Sequence, residues 1–432
     1  MNNVKKSSGV VPLVVGKNIL LGLQHLLAMY AGDILVPLLV DASLHFNATQ
    51  MMYLVSTDIF MCGIATLLQL KRTALTGIAL PIVLGSAVEY LASMTAIGNN
   101  LGWGYMYGGI LIAGVFVLLI SGLFANLRRF FPPVVTGSLI TLIGFTLIPV
   151  AFQNLGGGDV TAHSFGNLNA LILGGLTAII ILVFEIFGWG FIKQITILIG
   201  ILAMTLLAGI LGQIDLASVN TASWLQLPQP FYLATPKFEW SSIFTMLLAA
   251  LTCMIESTGV YFALADITGT TLSTADLKRG YRAEGLAAIL GGVANTFPYS
   301  TFSQNVGIVQ LSGIKKLKPV YYAAVMLLIL GLIPKVGAMA TLIPKPVLGG
   351  AMLIMFGMVG AQGIKMLAKV ELNTNNLIII AVSLGMGLGA TTQPTIFQYL
   401  PNTVQIILSN GMVIGCITAI ILNVLLNRNK LS

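Results

Sequence analysis

Apolar runs long enough to cross a lipid bilayer recur along the whole of this chain, for example at residues 18–40, 109–125, 170–187 and 412–426. A hydrocarbon core about 30 Å thick needs roughly 20 apolar residues per helix. Unpaired backbone groups are not tolerated at that depth, so each run must close its own hydrogen bonds as a helix. The predicted fold class is therefore an all-α polytopic membrane protein. Composition agrees: 57% of the 432 residues are apolar and 8% are charged, unlike a soluble globular chain. Residues 1–9 are polar and no small-residue cleavage site precedes the first full-length run, which predicts that no signal peptide is removed.

About 14 spans are predicted, at 18–40, 51–70, 75–95, 104–124, 132–152, 168–188, 194–212, 242–265, 283–297, 299–313, 319–340, 345–364, 375–392 and 404–426. Cytoplasmic loops are enriched in Lys and Arg. With the N-terminus inside, all cations except Lys237, Lys335 and Lys345 fall on the cytoplasmic side, Lys5, Lys6, Arg128, Arg129, Arg428 and Lys430 among them. One missed span would invert that bias, so an even count with both termini cytoplasmic is expected. The same clusters account for the net charge of +8, through topology and contact with anionic lipid, and no nucleic-acid partner is expected. Cys62, Cys253 and Cys416 all lie in apolar runs without paired spacing and read as packing residues, with no metal or disulfide expected.

The polar link 213–240 leaves about seven spans on each side. An odd number per half gives the halves opposite orientations, the inverted repeat of many secondary transporters. A local echo fits this: Pro81 and Pro298 are each followed five residues later by a serine, Ser86 and Ser303, in the third and tenth spans. Broken helices are predicted at these two spans. Pro298 lacks an amide proton and disfavours helix before it, so residues 299–302 are predicted to be extended. A half-helix would then begin near Ser303, a good N-cap type, with free N–H groups turned toward a ligand.

Several polar side chains stand in these apolar surroundings, where they are costly unless they bind or line something. The amide of Gln304 offers a donor and an acceptor side by side, matching the adjacent N–H and C=O of a cyclic lactam such as a nucleobase. The competing reading makes Gln304 and Asn305 interhelical hydrogen bonders. Glu256 lies mid-span with no cation nearby in sequence: ionised it would accept ring N–H groups, protonated it would carry a coupling proton, and a structural neutral acid is the alternative. Glu284 follows the basic loop 278–282, so either a buried role or an interfacial ion pair with Arg282 fits. His25 offers a proton relay or a packed hydrogen bond. Asp33, Asp58, Glu89 and Glu185 also fall in or near apolar runs, and spacing does not rank them.

The run from Gln304 to Gly313, QNVGIVQLSG, resembles the signature of the nucleobase–ascorbate transporter family (nucleobase:cation symporters). That signature reads Gln, Glu or Pro, then Asn, any residue, Gly, four of any kind, Thr, and a final Arg, Lys or Gly. Ser312 replaces the Thr and keeps the hydroxyl. Three further matches stand in the family's order: Gln24-His25 followed by LLAMY, Glu256 followed by Ser-Thr-Gly259, and Arg279 through Gly285. The resemblance implies 14 spans in a seven-plus-seven inverted repeat, in a homodimer of the plasma membrane. It implies a core domain from residues 1–127 and 241–340, a gate domain from 128–212 and 341–427, and an inter-repeat loop at 213–240.

On the same pattern Glu256 and Gln304 hold the base, with backbone around Ser303 and Val88 completing the pocket. Glu284, His25 and Asn305 serve proton coupling or the core network. Many relatives carry an aromatic near Val88, so the residue that stacks on the base is open here between Phe262 and Tyr299. Uracil-transporting relatives have Glu at the position of Gln304, whereas xanthine and urate transporters have Gln. The resemblance therefore implies the xanthine/uric acid permease branch: purine import, xanthine first, then urate, guanine or hypoxanthine. The proton is the coupling ion and no other cofactor is expected. An amide cannot take up that proton as a carboxylate can, which leaves Glu256, Glu284 or His25. A uracil permease of the same family and an inorganic-anion transporter of the same architecture are the alternatives. A membrane enzyme would need a metal-binding His pair, nucleophile elbow or phosphate loop, and none is present.

Overall fold

The computed structural model describes residues 10–127, 132–214, 216–313 and 315–427. The charges at Lys5, Lys6, Arg128, Arg129, Arg428 and Lys430 lie outside the described residues. The first half of the chain runs α1 (Val10–Asp33), α2 (Leu35–Leu44), α3 (Ala48–Leu70), β1 (Leu84–Ser86), α4 (Leu91–Asn100), α5 (Trp103–Leu127), α6 (Pro133–Leu155), α7 (Leu168–Phe187), α8 (Thr196–Ile210) and the short α9 (Ala217–Thr221). The second half runs α10 (Trp240–Thr268), α11 (Thr274–Val293), β2 (Tyr299–Thr301), α12 (Gln304–Ser312), α13 (Lys318–Gly331), α14 (Pro334–Ala340), α15 (Lys345–Leu367), α16 (Thr374–Thr392), α17 (Asn402–Leu408) and α18 (Gly411–Leu426).

Local sequence sets these boundaries. Asn47 caps α3 by accepting the Gln50 N–H, and the Gln50 side chain returns a bond to the Asn47 N–H. Ser273 and Asp276 form the same reciprocal cap on α11. Prolines stand in the first turns of α6 and α15, where a missing N–H costs nothing. Gly269, at φ +70°, ends α10 in the left-handed conformation.

Eight helical stretches among the described residues are long and apolar enough to cross a membrane, and α13 with α14 forms a further stretch bent by 87°. Two shorter apolar helices, α8 and α18, accompany them. Large apolar side chains on α5, α7, α8 and α16 face outward, Leu119 and Phe187 among the most exposed, as lipid-facing positions do. The chain is a mostly helical, multi-pass membrane protein.

Helices pack most closely where small residues meet, because lipid tails compete with side chains for apolar contact and only close backbone approach adds attraction. Between α6 and α15, a Cβ at Gly144 would strike the backbone of Gly360 and one at Gly137 would strike Leu367. Between α5 and α11, Gly114 faces Gly285 in the same manner. Other packed pairs are α3 with α13, α1 with α13, α5 with α10, α7 with α15, α6 with α16, α7 with α8 and α16 with α18.

The structure departs from an all-α chain in one place. β1 and β2, one from each half, pair antiparallel with Leu84 opposite Thr301, Gly85 opposite Ser300 and Ser86 opposite Tyr299. All six residues are buried. Extended backbone at this depth cannot bond to itself within one strand, so each strand needs the other. The ladder continues past the strands: the Ala87 N–H donates to the Pro298 carbonyl (2.9 Å) and the Phe302 N–H to that of Val83 (3.0 Å). β2 lies immediately after Pro298, and α12 begins just beyond Ser303.

Candidate functional site

The ribbon is held to the surrounding helices by two polar clusters. On α1 and α3, Asp33, Asp58 and Cys62 are all buried. Asp33 Oδ1 accepts the Ser86 N–H at 2.6 Å, and Asp58 Oδ1 accepts the Ser86 hydroxyl at 2.6 Å and the Tyr299 hydroxyl at 2.9 Å. The Cys62 thiol lies 3.4 Å from both Asp33 oxygens. One residue from each strand thus donates into one carboxylate, which ties the paired strands to α3. This cluster gives Asp58 a structural anchor role that spacing alone did not reveal.

The second cluster joins α10 and α11 to the turn that follows β1. Residues Val88–Tyr90 form one 3-10 turn, and it sets Glu89 inward with 1% of its surface exposed. The turn packs against α10, the helix that carries Glu256. Glu284 on α11 is buried. Its Oε1 accepts the Tyr261 hydroxyl at 2.6 Å, and the Gln69 amide donates to that same hydroxyl at 2.5 Å. Arg282 does not pair with Glu284; its Nε donates to Ser121 at 3.2 Å. The buried reading of Glu284 is the one the geometry takes.

Each of these three glutamates keeps one shielded oxygen without a protein partner: Oε2 of Glu89, of Glu256 and of Glu284. Buried polar atoms are nearly always bonded, so an unpaired carboxylate oxygen marks a place for a ligand or a proton. Glu256 also lines a cavity of about 640 Å³. Thr258, Gly259 and Phe262 from the same helix share that wall, and Phe124, Thr136, Ile140, Met366 and Lys369 are among the residues that line the rest. The volume lies within the range of small-molecule sites, and an apolar wall with one convergent carboxylate is the usual pattern of such sites.

The other residues singled out from sequence distribute as follows. Asn305 is fully buried, and its Nδ2 lies 3.2 Å from both the His25 ring Nδ1 and the His25 carbonyl. The two residues tie α12 to α1. Ser303 lines a separate cavity of about 250 Å³ with Gly32, Gln194 and Gly307. Val88 sits in the turn beside Glu89 and packs on the core. Backbone of Gln304 opens α12; its side chain lies outside the described residues. Of the two aromatic candidates, Phe262 lines the Glu256 cavity, while the Tyr299 hydroxyl is engaged by Asp58 and Thr296. Glu185 stands apart from both clusters and accepts the Thr196 hydroxyl at 3.2 Å. Spacing left Glu89 unranked, and its place against the helix of Glu256 depends on how α10 packs against the turn after β1.

Comparison with known proteins matches this geometry to a family. Residues 16–396 match the Permease family model Xan_ur_permease. The chain is 52% identical over 406 residues to the uric acid permease PucK of Bacillus subtilis, covering 94% of each chain. It is 49% identical over 413 residues to the xanthine permease of Bacillus subtilis, covering 95% of this chain and 94% of that one. Among solved structures, the transmembrane domain of the cyanobacterial bicarbonate transporter BicA has a TM-score of 0.62 at 16% identity, covering 91% of this chain and 97% of that one. The murine SLC26A9 anion transporter has a TM-score of 0.64 at 11% identity, with coverages of 98% and 69%. These two show the fold alone. The match across most of the chain and the identity to two curated permeases settle the class: the protein is a membrane transporter, not an enzyme, and it belongs to the Xan_ur_permease family of nucleobase–ascorbate transporters.

Proposed function

We propose that this chain imports a purine nucleobase across the plasma membrane by proton symport with alternating access, with xanthine the first substrate and urate, guanine or hypoxanthine next. One observation carries the reading: the Glu256 side chain lines the 640 Å³ cavity, and its carboxylate has an oxygen that no protein group satisfies. A ring N–H donated to that carboxylate makes a charge-assisted hydrogen bond, the stronger kind. Relatives named as uric acid and xanthine permeases support the substrate class. Gln304, with backbone around Ser303 and Val88, completes the base site in this reading, and Phe262 offers the base an aromatic face. Glu284, His25 and Asn305 serve coupling or the core network, and the proton is the only cofactor.

The proposed architecture is 14 spans in a seven-plus-seven inverted repeat. The packed helix pairs support it. Exchanging the two halves turns α3 against α13 into α11 against α5, and α1 against α13 into α10 against α5; all four are packed pairs. The exchange also turns α7 against α15 into α16 against α6, and α7 with α8 into α16 with α18. The pairs β1 with β2 and α6 with α15 map onto themselves. In this reading residues 1–127 and 241–340 form the core, 128–212 and 341–427 the gate, and 213–240 the link. Both termini are cytoplasmic, and the protein works as a homodimer.

Uptake of labelled xanthine, urate and uracil tests this in cells lacking their own permeases, with and without a protonophore. The expected result is purine uptake above uracil uptake, abolished by the protonophore. Uracil uptake exceeding that of both purines would overturn the substrate class, and purine uptake indifferent to the protonophore would overturn proton coupling. An inorganic-anion transporter of the same architecture is the second reading, since BicA and SLC26A9 share the fold. Labelled bicarbonate uptake in the same cells decides it.

A further inference from the structure

The link between the two halves is sewn along one face of the molecule. The Gln226 N–H donates to the Leu332 carbonyl at 3.0 Å, that of Phe231 to Val293 at 2.9 Å and that of Lys237 to Gly104 at 2.8 Å. The Tyr53 hydroxyl on α3 lies 3.0 Å from the Gln229 N–H, 2.8 Å from the Gln229 carbonyl and 3.1 Å from the Ala294 carbonyl. Its ring packs on Tyr232, with centroids 4.2 Å apart. Asn295 holds the next stretch: its Oδ1 accepts two successive N–H groups, of Leu233 at 2.8 Å and of Ala234 at 3.0 Å. Every one of these fastenings is made to residues within 1–127 or 241–340.

Asn295 has no exposed surface and holds φ at +54°, a left-handed conformation that asparagine tolerates better than most residues. Glycine would meet that backbone demand more easily, so what asparagine adds is the acceptor for the link. Its Nδ2 donates to the Gly292 carbonyl at 3.4 Å, and the Thr296 N–H donates to that of Gly291 at 2.8 Å. The turn 294–296 is therefore held by the end of α11, by Tyr53 and by the link. The ribbon follows at once. The Pro298 carbonyl accepts the Ala87 N–H, β2 starts at Tyr299, and the Tyr299 hydroxyl reaches back to the Thr296 hydroxyl at 2.8 Å. So short a connection passes the position of the turn directly to the strand.

We propose that Asn295 is a positioning residue for the base site: with Tyr53 it clamps the link onto the turn that leads into β2, and so holds the ribbon in place. The inference rests on the reading of the chain as a purine importer whose base meets backbone around Ser303 and Val88. Ser303 follows the end of β2 and Val88 the end of β1, so the paired strands set how those two stretches of backbone stand to each other. Asn295 and Tyr53 act through the ribbon, and neither lines the Glu256 cavity. Without the clamp the ribbon holds its binding form for only part of the time, and apparent affinity falls by that fraction.

The test is equilibrium binding of labelled xanthine and urate to the purified full-length protein in nanodiscs, with Asn295→Gly, Asn295→Asp and Tyr53→Phe beside the parent. Glycine keeps the left-handed backbone and deletes the acceptor, whereas aspartate keeps an acceptor for both N–H groups. A ribbon in its binding form about a tenth of the time raises the apparent Kd about tenfold. The expected result is a rise of that order in Asn295→Gly and Tyr53→Phe, with faster hydrogen exchange in peptides covering 299–302, and a Kd near the parent's in Asn295→Asp. A purely structural role would lower the yield of folded protein and leave the Kd of the purified fraction unmoved; that result in Asn295→Gly and Tyr53→Phe would overturn the proposal. A Kd raised as far in Asn295→Asp as in Asn295→Gly would overturn the assignment to the acceptor oxygen. Should Asn295→Gly not purify as a monodisperse species, Tyr53→Phe decides by the same two measurements. Failure of the parent to bind either purine would overturn the purine reading and this inference with it.

Discussion

Glu256→Gln is the substitution that most directly probes the cavity. Glutamine keeps the length of the side chain and one carbonyl acceptor but replaces the second oxygen with an amide that donates. The oxygen at stake is Oε2, which no protein group satisfies. The variant therefore loses an ionised acceptor for the base and forfeits no protein hydrogen bond at that atom. A hydrogen bond to a charged group contributes about 1.5–3 kcal/mol. At about 1.4 kcal/mol per decade, that is roughly a 10- to 150-fold rise in Kd for the base. The loss should fall toward the upper end, because the new amide can turn a donor toward a donor. Folding follows the opposite sign. Removing an ionisable carboxyl from a buried position lowers the cost of burying charge, so the thermal midpoint in detergent should equal or exceed the parent's. Scintillation proximity binding gives the affinity, uptake gives the transport loss, and fluorescence-detected size exclusion gives the amount of folded protein. Parental affinity and uptake in Glu256→Gln would refute the reasoning and return Glu256 to a structural role. So would a variant that loses binding only because it no longer folds.

Two further substitutions test the scaffold that holds the site. Asn305→Ala removes both contacts between Nδ2 and His25, each 3.2 Å long, from a fully buried position. It should cost about 1–3 kcal/mol by leaving the buried His25 ring Nδ1 without this partner, and an unchanged thermal midpoint would refute the tie between α12 and α1. Gly144→Val drives a Cβ into the backbone of Gly360, where overpacking costs about 1–3 kcal/mol; Gly175→Val, at a position with open space around it, should leave the midpoint nearly unmoved. Equal midpoints for the two valine variants would refute the close packing of α6 on α15.

The parts of this molecule that were legible in sequence are those that depend on local composition or local stereochemistry. Length and hydropathy mark the spanning helices because the bilayer imposes them segment by segment. Pro298 marks extended backbone because its ring constrains its own neighbours, and β2 with α12 beginning after Ser303 lie where that constraint puts them. Glu256 stood out because it is an acid alone in an apolar run. Pairing across the two halves was not legible. Nothing near Leu84 in the chain announces Thr301 as its partner, and an all-α reading was the consequence.

Glu89 shows the same limit at the level of chemistry. In sequence it is one of four acids in or near apolar runs, with no feature that separates it from Glu185. In space Glu185 accepts a threonine hydroxyl, while Glu89 is buried in the turn after β1, against the helix that carries Glu256. What distinguishes them is the strand pairing itself: β1 must lie against β2 before the turn that follows can press Glu89 toward α10. The element least visible in the sequence therefore positions a buried acid against the helix of Glu256. A substitution that loosens the ribbon, such as Tyr299→Phe at its bond to Asp58, acts on that turn without touching it.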